Sequence, residues 1–156
     1  MKHFLAAALL VAVAAPVAAA AEINVTYGDK FAEKLTDDYG EREGVYLSER
    51  VREDLERALT KSGVDVARID VTILDAKPSR PTFKQAGDEP GLDLHRSVSI
   101  GGMKLSAVTY DAAGNASEPF EYKWFENDIT QAGLTTWHDA RRASSRFASN
   151  YVKAMD

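Results

Sequence analysis

Beyond the first few residues the chain carries two histidines, His95 and His138, and imidazole is the side chain that exchanges a proton near neutral pH. His95 has Asp93 and Arg96 beside it and Ser97 and Ser99 just after it, so a serine, a histidine and a carboxylate lie within seven residues. A serine nucleophile needs a base in hydrogen-bonding reach and a third group to orient that base, and no G-x-S-x-G turn is present to expose one. The same segment offers a metal reading. Asp88, Glu89, Asp93 and His95 surround Gly91; hard carboxylate oxygens suit calcium, and a histidine with carboxylates suits zinc. Asp88, Asp93 and His95 are the ligands this alternative would use, although the spacing matches no EF-hand. The plainer reading is a solvated acidic loop, with no metal and no cofactor. His138 precedes Asp139, where a helix is expected to begin, and reads as a residue of that helix's first turn.

Two charged groups could hold a partner. Asp37, Asp38, Glu41 and Glu43 form an acidic run, expected to be a solvated connection. Arg141, Arg142, Arg146 and Lys153 make the outer side of the last helix positive, a stripe able to dock an acidic partner or anionic lipid head groups or simply to keep a packed helix soluble. Among the aromatic residues, Phe120, Tyr122 and Trp124 alternate on one side of a strand and belong to a core, whereas Phe125 points the other way. With Tyr110 and Val108, Phe125 is expected to leave an apolar patch on an open sheet face, and such patches mark interaction surfaces. Phe125, Tyr110, Arg142 and Arg146 are therefore the candidate partner-binding residues.

The elements that position these groups follow from periodicity. Ile23, Val25 and Tyr27 alternate with polar residues as in a half-buried strand. Residues 29–44 mix charges, two glycines and few apolar anchors, and read as an exposed connection with about one helical turn. Leu47, Val51, Leu55, Ala58 and Leu59 share a helical stripe, and Gly63 stands where a left-handed cap belongs, so a helix is expected over 46–62. Ile69, Val71 and Ile73 predict a second strand, ended by Pro78 and Pro81. Residues 84–91 read as a mobile loop. An extended stretch from Leu94 to Tyr110 follows, interrupted at Gly101-Gly102 by a bulge, a turn or a close backbone approach. Asp111 to Asn115 is a turn, since aspartate bonds its own following backbone while glycine and asparagine accept left-handed geometry. It leads into the strand at 120–125. Trp137, Ala140, Ser144, Phe147, Ala148 and Tyr151 repeat at helical spacing, and Thr136 with Asp139 resembles a capping box. The expected fold is α+β, two layers, with a small mixed sheet of four or five strands in the order β-α-β-β-β-α and two amphipathic helices on one face. The first two strands should be neighbours and parallel through a right-handed crossover.

The amino terminus states an address. Met1-Lys2-His3 is basic, Phe4 to Val13 apolar, and Pro16 to Ala21 small, the pattern of a secretory signal peptide cleaved near Ala20 or Ala21. What remains is a single domain of about 135 residues. A formal net charge of −5, lower by one without Lys2, leaves no broad basic surface for nucleic acid. Cysteine is absent, which removes disulfides, thiol nucleophiles and a lipidated anchor. The expected location is the periplasm or the medium, without a stable membrane anchor.

The stretch Ser99-Ile100-Gly101-Gly102-Met103-Lys104-Leu105-Ser106-Ala107-Val108-Thr109-Tyr110-Asp111-Ala112-Ala113-Gly114-Asn115 resembles the glycine, strand and D-x-x-G hairpin of small bacterial envelope proteins and lipoproteins. Those are similar in layout to the amino-terminal domain of the curli-secretion channel protein. The resemblance implies an α/β envelope domain that binds or assembles with other components, and it implies no catalytic residue. A noncatalytic binding or envelope-assembly domain with an envelope protein as partner is thus the expectation; a small hydrolase or metal-binding protein using Asp88 to His95 is the alternative.

Overall fold

In β1 (Glu22–Tyr27) and β2 (Arg68–Lys77), β-branched residues alternate with polar ones, and the two strands pair in parallel with Ile23 opposite Ile69 and Val25 opposite Val71. The computed structural model describes residues 20–155, so the residues read as a signal peptide lie outside the described part apart from the last two alanines. β3 (Gly102–Tyr110) runs antiparallel to β2, and β4 (Phe120–Phe125) antiparallel to β3, giving one four-stranded sheet in the order β1-β2-β3-β4. Two long helices, α2 (Glu41–Ser62) and α4 (His138–Lys153), connect and close this sheet. The fold is the expected two-layer α+β arrangement with its β-α-β-β-β-α order, to which shorter helical pieces are added.

Burial follows the pattern of each element. Ile69, Val71 and Ile73 of β2 and Met103, Leu105 and Ala107 of β3 point into the helix layer and are buried. They meet Leu47, Val51 and Leu55 of α2 and Ala140, Ala143, Phe147 and Tyr151 of α4. Aromatic rings fill the β4 side, where Phe120 stands 5.2 Å from Tyr151 and Tyr122 6.1 Å from Phe147. Gly63 caps α2 in the left-handed region at φ +72°, as its position predicts. The β3–β4 turn also forms as read: Asp111 Oδ1 accepts the amides of Ala113 (2.9 Å) and Asn115 (2.8 Å). The Asn115 side chain and those amides hold the Asp111 carboxyl below its ordinary pKa.

Several local expectations need correction. The connection over 29–44 is α1 (Asp29–Lys34) running into a π-helical turn at Leu35–Tyr39, and α2 begins at Glu41 rather than 46. Phe31, Leu35 and Tyr39, spaced by four, form a helical stripe that is buried, while Asp37, Asp38 and Glu41 remain exposed as expected. Gly44 is no helix breaker. A Cβ there would sit 2.6 Å from the Leu35 side chain and 3.0 Å from the Tyr27 hydroxyl, so its lack of a side chain admits packing. The segment read as a loop from 84 opens as α3 (Phe83–Asp88), started by a true capping box between Thr82 and Gln85. Leu94 to Ile100 is not strand; Asp93 Oδ1 accepts the amides of His95 and Arg96, each at 2.8 Å, and holds a turn there. No capping box forms at Thr136 and Asp139: α4 begins without a side-chain cap, and Asp139 turns inward instead.

Candidate functional site

β1, β2 and β4 finish, and β3, α2 and α4 start, at one end of the sheet, so the segments 78–101 and 126–137 meet there. The chain secures this junction through Asp139. Its side chain is fully buried, and Oδ2 accepts the Ser79 hydroxyl at 2.7 Å and, at 3.4 Å each, the amides of Gly101 and Gly133. The Asp139 amide in turn donates to Ser79 Oγ at 3.2 Å. Asp139 Oδ1 has no hydrogen bond, and its nearest cation is Arg142 Nη1 at 3.8 Å. The chain can crowd in this way because Gly101 and Gly133 lack side chains: a Cβ on Gly101 would lie 2.5 Å from Ser79 Oγ, and one on Gly133 2.1 Å from the His138 side chain. Of the options raised for the Gly101-Gly102 pair, the structure selects close backbone approach.

Further bonds tie the loops to one another. The Ser79 amide donates to Thr136 O at 2.7 Å, the Ser99 amide to Ser79 O at 3.0 Å, and the Glu126 amide to Gly101 O at 2.9 Å. Arg80 reaches across with Nε to Gly133 O at 3.3 Å and Nη1 to His95 O. Behind them Trp137 packs edge-on against Tyr39, centroids 5.5 Å apart, and donates its indole N–H to Glu43. Burial first, then the nearby Asp75 and Asp38 carboxylates, pushes the Tyr39 hydroxyl up to about 12. A shallow cavity of about 270 Å³ opens beside it, lined by Tyr39, Arg80, Gln85, Glu89, Ser97 and Val98 among others.

This end also carries the surface apolar side chains. Among the described residues the large exposed hydrophobics are Val45, Tyr46, Phe83, Val98, Ile129 and Leu134, with Phe83 79% and Leu134 83% exposed. All six lie on the junction loops, on α3 or in the first turns of α2. Apolar side chains on loops held by a buried hub are suited to contact another molecule at little ordering cost.

The residues singled out from sequence are placed differently. Phe125 pairs with Gly102 at the start of β3, and Tyr110 is at its other end, so the two are separated by about 27 Å of strand and form no common patch. Each ring is shielded: the Arg68 guanidinium lies 3.8 Å from the Tyr110 centroid, and the Lys123 ammonium 5.9 Å from that of Phe125. Between them the open face carries Thr72, Lys104, Ser106 and Glu121, so it is mainly polar, and Val108 stands on it beside Tyr110, at the end away from Phe125. Arg142 and Arg146 do converge, but on the helix side, where both guanidinium groups cover Trp124 at 5.1 and 4.4 Å. Arg142 also bonds Glu126 at 3.1 Å.

The metal and hydrolase alternatives find no assembled site. Asp88 pairs with Lys84, and Asp93 spends its Oδ1 on its own turn, whose two amides lower its pKa. Among the described residues no group of three or more histidine or acidic side chains is placed to hold a metal ion. Ser97 Oγ accepts the Asp93 amide and Ser99 Oγ donates to Pro78 O, so neither serine meets His95. His138 lines a cleft that includes Asp54, yet both Asp54 oxygens are occupied, by Arg57 and Ser144. Sequence reasoning passed over Ser79, Arg80, Phe83 and Leu134. The Thr82-x-x-Gln85 capping signature was available there, whereas the pairing of Ser79 with Asp139 spans 60 residues and has no local signal.

A scan of the chain against protein-family models finds no match, and a search of curated proteins finds no relative.

Proposed function

We propose that this protein is a noncatalytic binding or assembly domain of the bacterial envelope, periplasmic or secreted after cleavage near Ala20 or Ala21, that engages an envelope protein. This is the kind of role implied by its resemblance in layout to small envelope proteins. The observation that carries the reading is that the six large hydrophobics exposed among the described residues collect at one end, on the junction loops, on α3 and in the first turns of α2, where the Asp139 hub ties the loops together. The contact surface is therefore the loop end, in place of the sheet face that Phe125 and Tyr110 would have formed. Among the described residues no helix is long and apolar enough to cross a membrane.

The test has two arms. Fractionating cells that express the full chain and sequencing the amino terminus of the product checks the address: a periplasmic product starting near residue 21 or 22 is expected, and an unprocessed cytoplasmic chain refutes it. Pull-down from solubilised envelope then compares the unaltered protein with Phe83→Ser/Leu134→Ser and with Ser106→Arg on the open face. Loss of a stoichiometric partner in the first variant alone supports the loop end. Loss only in Ser106→Arg returns the contact to the sheet.

A further inference from the structure

A second concave feature lies between α2 and α4 and reaches the first residue of α4, His138. Its volume is about 270 Å³, and its lining includes Arg50, Asp54 and Arg57 from α2 with His138, Arg141 and Arg142 from α4. Three arginines, Arg50, Arg57 and Arg141, thus border one cleft in a chain of net charge −5, with Arg142 at its edge and its guanidinium turned to Trp124 and Glu126. The single lining carboxylate does not cancel them towards solvent. Asp54 is buried, its Oδ2 accepts Ser144 Oγ at 2.8 Å, and its Oδ1 accepts Arg57 Nη1 at 2.8 Å, so it serves as a brace that fixes Arg57 at the rim.

The other arginines keep most of their donors free. Arg50 bonds Glu53 at 2.6 Å and Arg142 bonds Glu126 at 3.1 Å, while each guanidinium carries five N–H groups. Arg141 forms no ion pair among the described residues, and its Nε is hidden from solvent without an acceptor. With no carboxylate paired to it among the described residues, the remainder of the Arg141 guanidinium is left to an anion from outside. Planar forks of this kind match the oxygen spacing of phosphate and accept it in pairs. The amino-terminal end of α4 at His138 adds its partial positive charge to the same cleft.

We propose that this cleft binds a compact oxyanion, a phosphate or diphosphate group, clamped by Arg50 and Arg57 from one helix and Arg141 from the other. Its size and surroundings select a compact ligand over a nucleic acid. Glu49, Glu53 and Glu56 stand exposed along α2 around the arginines and would repel an extended polyanion. The assignment is independent of the loop end and its partner. A phosphate of this chemistry could belong to a soluble molecule or to a lipid head group, and the experiment separates the two.

The full chain is expressed and purified, and the arginine Nε–H signals are followed by NMR during titration with inorganic pyrophosphate. Parallel sedimentation uses vesicles of equimolar phosphatidylglycerol and phosphatidylcholine. Arg50→Gln and Arg141→Gln remove cleft donors; Arg96→Gln, exposed on the far loop, removes the same charge elsewhere. A saturating shift at Arg57 and Arg141, with the affinity read at Arg57 weakened at least tenfold in both cleft variants and unchanged in Arg96→Gln, supports a soluble phosphate ligand. Vesicle binding with the same dependence and no pyrophosphate response assigns the cleft to a lipid phosphate. Absence of both responses in the unaltered protein overturns the proposal, as does equal weakening by Arg96→Gln, which would reduce the effect to net charge. The unaltered protein's titration decides the matter even if a variant fails to fold.

Discussion

Replacing Asp139 by alanine tests whether the buried hub holds the loop end together. In the native protein its carboxyl is fully buried and accepts one short bond, from Ser79 at 2.7 Å, and two long ones, from Gly101 and Gly133 at 3.4 Å. Truncation strands the Ser79 hydroxyl and two amides away from water. Each abandoned polar group costs about 1–3 kcal/mol, the long bonds at the low end, so the sum is about 3–5 kcal/mol. That is a large share of the roughly 5–15 kcal/mol that stabilises a domain of this size, and it corresponds to a fall in melting temperature of about 10 °C or more. Asp139→Asn retains a carbonyl acceptor for Ser79 and should lose about 1–2 kcal/mol. Urea unfolding followed by tryptophan fluorescence measures all three proteins, with Ser79→Ala and the double variant completing a thermodynamic cycle. Because the two side chains bond each other, the single costs should fail to add by about 1–2 kcal/mol. An Asp139→Ala protein within about 1 kcal/mol of the unaltered one, or strict additivity with Ser79→Ala, would refute the hub.

Gly102→Ala should destabilise by at least about 2 kcal/mol in the same urea assay, since the added Cβ would lie 2.4 Å from the Trp124 carbonyl oxygen and 2.5 Å from Phe125 Cα; a neutral result would mean that β4 shifts freely. Thr82→Ala removes both a buried hydroxyl and the capping box of α3, so hydrogen exchange over 83–88 should accelerate and stability drop by about 1–2 kcal/mol. Tyr39 ionises near 10 in the unfolded chain but near 12 in the fold, so above pH 10 the unfolded state binds fewer protons and stability falls as pH rises towards 12, by on the order of 2 kcal/mol. Below pH 10 that contribution is intact. Tyr151 and Tyr122, also pushed up chiefly by burial, slope the same way. Tyr39→Phe, whose hydroxyl makes no hydrogen bond among the described residues, should leave neutral stability nearly unchanged and flatten the alkaline loss; an identical alkaline profile would place the titration elsewhere.

Local periodicity was enough for the four strands, both long helices, the parallel pairing of β1 with β2 and the Asp111 turn. In each case the signal sits within a few residues: alternation in Ile69-Asp70-Val71, the stripe of Leu47, Val51 and Leu55, an aspartate followed by Gly114 and Asn115. The buried π-turn at Leu35–Tyr39 was missed because acidic residues separate its apolar anchors, and Gly44 was misread because a glycine that admits a neighbour looks, in sequence, like one that breaks a helix.

The groups that make the surfaces were decided by tertiary structure alone. Asp139 follows a histidine at a helix start and reads as a cap; only the arrival of Ser79, 60 residues earlier, turns it into a buried anchor. Arg50 and Arg57 were ordinary polar residues of an amphipathic helix until α4 brought Arg141 beside them. Phe125 and Tyr110, joined in expectation, are parted by the length of β3 because strand register sets distance along the sheet while alternation sets only the side. Periodicity encodes which way a residue faces, through geometry repeated every two or 3.6 residues. What it faces depends on contacts between segments far apart in the chain, and those exist only once the core has closed.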